Sequence, residues 1–95
     1  MDQINAVKES ITDEIIHKIN DLNNQAWLVH DTQPKRGLKL SLKAKSLAEK
    51  YAYKQGLAYA IRNMGVSNRY LSNLETVLSL SNQTTELFIE LGQYR

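Results

Sequence analysis

A chain of 95 residues with 42% hydrophobic and 23% charged residues has the composition of a single globular domain, which argues against disorder. It holds no cysteine, so disulfides, thiolate metal sites and cysteine nucleophiles are excluded, and no run approaches the ~20 apolar residues of a membrane span. The net charge of +2 hides a segregation: six acids face two lysines over residues 1–31 (−4), seven bases face Glu49 alone over 32–54 (+6), and the remainder is neutral.

In chain order, Ile4, Val7, Ile11, Ile15, Ile19, Leu22, Ala26 and Val29 recur at steps of three and four, one face of an amphipathic helix. Ser10 or Thr12 offers an internal cap, with acids following, but the stripe favours one nearly continuous helix ending around His30. Pro34 then breaks the pattern and suits the first turn of a new helix, with Asp31 or Thr32 as the expected cap. Gly37, Leu40, Ala44, Leu47, Ala48 and Tyr51 mark that second helix to about Ala52, with Leu38 and Leu42 forming a second apolar row. A third helix is expected from about Lys54 to Leu71, with Leu57, Ala60, Ile61, Met64 and Gly65 on its buried side. Ser72 and Asn73 supply caps for a fourth, which carries Leu74, Val77, Leu78, Leu87, Phe88 and Leu91 and stops at Gly92, a left-handed C-terminal residue. Its middle, from Ser79 to Thr85, is poor in strong helix formers, so this helix is expected to be the loosest of the four.

The helices repeat. Gly37 and Ala44 have counterparts at Val77 and Thr84, forty residues on, and Leu47, Ala48 and Tyr51 match Leu87, Phe88 and Leu91. In the preceding helices Leu22, Gln25 and Ala26 fall opposite Ile61, Met64 and Gly65 at a spacing of thirty-nine, with residue character kept at the first and third pairs but not at Gln25 and Met64, and the one-residue difference lies in a loop. Gly37, Ala44 and Gly65 are small where helix backbones would approach closely, while Leu22, Leu40, Leu47, Ile61 and Leu87 would fill the space between hairpins. Gly92-Gln-Tyr-Arg95 aligns with Ala52-Tyr-Lys-Gln55, so the chain ends where another repeat would begin. The expectation is an N-terminal fragment of a longer protein or, alternatively, a chain that completes its core as a homodimer through Phe88 and Leu91.

The runs Leu22-Asn-Asn-Gln-Ala-Trp27, Gln33-Pro-Lys-Arg-Gly-Leu-Lys-Leu40, Ala44-Lys-Ser-Leu-Ala48 and Gly56-Leu-Ala-Tyr-Ala-Ile-Arg-Asn-Met-Gly65 resemble tetratricopeptide repeats of the longer, roughly forty-residue type. Val77 and Thr84 depart from the small alanines usual there, and Asn68 stands where an aromatic is common. The resemblance, over about residues 15 to 92, implies an all-α stack of antiparallel helical hairpins, the first about 13–52 and the second about 54–91. Similar repeats occupy the N-terminal regions of bacterial signalling proteins such as cyclases and histidine kinases. The implied inner groove is lined by the first helix of each hairpin, with Asn23, Asn24, Trp27 and His30 from one and Arg62, Asn63, Val66 and Arg69 from the next. Asn can pair with the backbone of an extended peptide, and Arg can grip a carboxylate. The plainer alternatives are a solvated polar surface and a tryptophan packed under the following turn.

Chemistry finds little purchase elsewhere. His17 and His30 lie thirteen residues apart, not at the i, i+4 spacing of a helical zinc pair, and Asp13 with His17 makes an incomplete site. No phosphate-cradling glycine loop or nucleophile elbow is present, so no enzyme, metal or cofactor is expected. The start MDQINAVKES lacks a basic stretch followed by an apolar run, so it is not read as a secretory signal, and a cytoplasmic location is expected. The functional expectation is a protein- or peptide-binding module in the sensory part of a signalling protein. The alternative is a small regulator whose basic Lys35-to-Lys54 helix binds nucleic acid or an acidic partner, although nucleic acid is disfavoured because the bases are not interleaved with aromatics.

Overall fold

The computed structural model describes residues 11–71 and 74–92, excluding the side chains of 74 and 75. Four α-helices make up the described chain: α1 (Asp13–Val29), α2 (Pro34–Lys50), α3 (Lys54–Tyr70) and α4 (Leu74–Glu90). They form two antiparallel hairpins, α1–α2 and α3–α4, stacked side by side, as the repeat implies. The architecture is all-α, with no strand among the described residues. Among the described residues, no helix is long and apolar enough to cross a membrane.

The helix ends follow from local chemistry. Thr12 is extended (φ −111°, ψ 163°), and its hydroxyl accepts the Ile15 amide at 3.2 Å, with Asp13 and Glu14 complementing the helix dipole. The expected continuous helix through this region is therefore corrected: it starts afresh at Asp13. The Ile4 and Val7 part of the stripe, and the Ser72–Asn73 caps, lie outside the described residues. Pro34 opens α2 as expected, but the cap position belongs to Gln33, which makes no side-chain capping bond, rather than to Asp31 or Thr32.

The end of α2 is a paired-bond cap. The Tyr53 amide donates to the Ala48 carbonyl at 2.8 Å and the Ala52 amide to that of Glu49 at 3.3 Å, with Ala52 left-handed at φ 55°. Forty residues on, Gly92 is left-handed too (φ 71°) and its amide donates to Ile89 at 3.0 Å. The repeat thus extends to the backbone torsions of its turns.

Ile19, Ala44, Ala48 and Ala60 form the centre of the core, with Ile15, Leu22, Leu47, Tyr53 and Leu57 packed around it. Burying an isoleucine such as Ile19 stabilises by roughly 1.5–3 kcal/mol. Among the described residues, α3 packs on all three other helices, whereas α4 packs on α3 alone. That asymmetry explains why α3 buries even polar residues. The stretch from Ser79 to Thr85 is unbroken helix, with the Thr84 and Thr85 hydroxyls donating back to the Leu80 and Ser81 carbonyls at 2.8 and 3.0 Å.

The glycines that permit close approach are Gly37 and Gly56. A methyl on Gly37 would meet Ser67 Oγ at 2.6 Å, and one on Gly56 would meet Tyr53 and Ile19 within 2.7 Å. At Gly65 it would meet only Leu80 Cβ at 3.6 Å, ordinary contact, so the expected tight crossing there is corrected.

Candidate functional site

Where α1 and α3 run side by side, the stack encloses an open cavity of about 590 Å³. α1 contributes Asn20, Asn23, Asn24 and Trp27, the turn before α3 contributes Tyr53, and α3 contributes Gln55, Tyr59 and Arg62. Four amides, three aromatic rings and one guanidinium line it, with no carboxylate. This wall can hydrogen-bond a peptide backbone and stack against flat side chains.

Arg62 is the centre of the site. Its guanidinium carbon lies 4.3 Å from the Trp27 ring centroid and 5.0 Å from that of Tyr59. Beneath it, Nε and Nη2 donate to Asn63 Oδ1 at 3.3 and 3.0 Å. Burial pushes the Arg62 pKa below its ordinary value, and Tyr59 opposes that shift. The group stays protonated at any working pH, because an arginine starts so high.

The floor is a relay of amides. Asn63 Nδ2 donates to the Asn23 carbonyl at 3.0 Å and to Asn23 Oδ1 at 3.2 Å, and Asn23 Nδ2 donates to the Gly56 carbonyl at 3.1 Å. Asn63 is fully buried and Asn23 nearly so. Neither amide is free to pair with a peptide in the way the sequence suggests. They hold α1 against α3 and fix Arg62 from below. Beside them, the Tyr53 hydroxyl donates to Asn20 Oδ1 at 3.2 Å.

The rings continue along the groove. His30 stacks on Trp27 at 4.4 Å and 29°, and Tyr70 meets His30 edge-on at 5.7 Å. His30 Nδ1 lies against the Trp27 carbonyl. A carbonyl only accepts, so this nitrogen carries the proton and Nε2 is the ring's acceptor in the neutral form. At the other end Tyr59 meets Phe88 of α4 at 5.3 Å and 79°. A ladder of rings and one cation thus runs Tyr70, His30, Trp27, Arg62, Tyr59, Phe88. Trp27 remains 44% exposed, so it is not packed away under the next turn.

Of the residues expected in the groove, Asn23, Asn24, Trp27 and Arg62 line the cavity, Asn23 with its amide tied to Asn63 and Gly56. Arg62, Val66 and Arg69 line a smaller neighbouring cavity of about 250 Å³ between α3 and α4. His30 belongs to the ladder. Asn20, Tyr53, Gln55 and Tyr59 are additions, and two of them were within reach of periodicity. Asn20 lies one helical turn before Asn24, and Tyr59 three residues before Arg62. Phe88 and Leu91, expected at a self-association surface, are half-buried, and Phe88 turns its ring onto Tyr59. Among the described residues, the large apolar side chains that α4 exposes are Leu78 and Ile89. Comparison with protein-family models, curated proteins and solved structures finds no match to this chain.

Proposed function

We propose that this chain is a protein-interaction module of tetratricopeptide type that holds an extended peptide segment of its partner in the α1–α3 groove. The observation that carries this reading is the Arg62 site: an exposed tryptophan and a half-buried cation, held from below by the buried amide of Asn63, beside the exposed amide of Asn24. Rigid aromatic and arginine anchors in a preformed concavity are the features that dominate binding energy at protein interfaces. A sensory or regulatory role within a bacterial signalling protein is the context that the repeat resemblance supports.

The test is selection from a random peptide library on the wild-type chain, with the selected peptides then measured on Trp27→Ala and Asn24→Ala. Trp27→Ala is expected to weaken them by tenfold or more, the cost of about 1.4 kcal/mol or above that an aromatic anchor carries. Failure to enrich any peptide, or peptides indifferent to both substitutions, overturns the groove assignment.

A further inference from the structure

Among the described residues α4 packs on α3 alone, so the side of α4 that faces away from α3 is open. On the outer side of α4 the exposed residues Leu78, Asn82, Thr85 and Ile89 follow one another at spacings of four, three and four. Leu78 is 68% exposed and Ile89 58%.

That stripe has two properties that identify its occupant. Spacings alternating four and three keep residues on one seam of a left-handed helix pair. The order apolar, polar, polar, apolar is the same read from either end, and so are the spacings. A helix face that reads identically in both directions is complementary to a second copy of itself laid antiparallel across a two-fold axis. In that arrangement Leu78 of each chain meets Ile89 of the other, and Asn82 meets Thr85, an amide against a hydroxyl that can pair. No charge lies on the stripe.

From these observations we infer that two copies of the chain pair antiparallel through α4, along Leu78, Asn82, Thr85 and Ile89. The seam spans about 17 Å of helix. A contact of this length falls short of the roughly 1,200–2,000 Å² of a standard stable interface, so the dimer is of the weak, concentration-dependent class. The central polar pair fixes register, as a polar residue at a helix seam does. The α1–α3 groove lies on other helices and stays open in both copies, so the dimer offers two binding grooves.

Sedimentation velocity over about a hundredfold range of concentration tests this. Wild-type chain is expected to pass from monomer to dimer and no further, since a two-fold contact closes on itself. Leu78→Lys and Ile89→Glu, each at an exposed position and each checked for helical content, are expected to raise the dissociation constant about tenfold or more. The chain carrying both substitutions is expected to recover dimerisation, because antiparallel pairing sets each new lysine against a new glutamate. A wild type monomeric throughout, or single variants that associate like wild type, overturns the α4 contact. Loss in the single variants without recovery in the double overturns the antiparallel seam, since parallel pairing would set like charges together.

Discussion

The contact between Gly37 and Ser67 allows a quantitative trial of how the two hairpins are fitted together. Ser67 is fully buried on α3, and its hydroxyl has no hydrogen-bond partner. Gly37 of α2 faces it, with room for no further atom: an added methyl would come within 2.6 Å of that hydroxyl and 3.2 Å of the His30 Cα. Gly37→Ala gains about 1 kcal/mol of helix propensity but incurs overpacking of about 1–3 kcal/mol, for a net loss near 1 kcal/mol. Ser67→Ala removes an unpaired buried hydroxyl and leaves a small void, so it is expected to be neutral or stabilising by up to about 1 kcal/mol. In the double variant the methyl on residue 37 occupies the space the hydroxyl left. The closest clash is then gone and only the tight approach to the His30 Cα at 3.2 Å remains, so the pair is more stable than the sum of the single variants predicts. The expected coupling is about 1–2 kcal/mol, read from urea unfolding of the four chains by helical circular dichroism. Additivity within about 0.3–0.5 kcal/mol would show that the two groups do not compete for one space.

Ala52 holds a left-handed conformation that costs an alanine about 1–2 kcal/mol, and its counterpart is already Gly92. Ala52→Gly is therefore expected to raise stability by about 0.5–1 kcal/mol, after the entropy glycine adds to the unfolded chain, and a lowered urea midpoint would contradict that. Asn63→Ala leaves Arg62 and Asn23 without their shared partner, and a loss of about 2–3 kcal/mol is expected; an unchanged midpoint would show the relay to be dispensable. For the basic helix, duplex DNA is expected to show no measurable binding at moderate ionic strength. Retention with a steep salt dependence would favour the nucleic-acid reading of the Lys35-to-Lys54 segment.

The helices and their repeat were legible because each rests on local rules: apolar spacing, a proline at a first turn, a glycine past a last one. The equivalence of Ala52 and Gly92 could be read from alignment alone, although nothing in the alanine signals a positive φ. The site was half legible. Projecting the repeat register placed Asn23 and Asn63 in the groove as polar groups open to a peptide. Their burial depends on each other and on the Gly56 carbonyl, all from distant parts of the sequence, and periodicity within one helix cannot see that. The same limit misassigned the close approach to Gly65. A glycine marks a position where bulk is absent, but only the neighbouring helix decides whether bulk was forbidden, as it is at Gly37 and Gly56. Phe88 was assigned to a self-association surface because the fourth helix ends at a repeat boundary; its ring contact with Tyr59 joins two helices, so periodicity within one helix does not show it.

The bond between Asn23 and Asn63 also limits how the hairpins can be misaligned. Leucine and alanine surfaces would tolerate a slide of one helical turn, about 5.4 Å, with modest repacking. The asparagines would not, because the slide would leave the two buried side-chain amides without partners at about 1–3 kcal/mol each. The pair therefore works as an indexing pin between neighbouring units, and the placement of Arg62 between two rings is inherited from that alignment. An array lengthened by further hairpins would keep its binding surfaces in phase only where each junction carried such a pin.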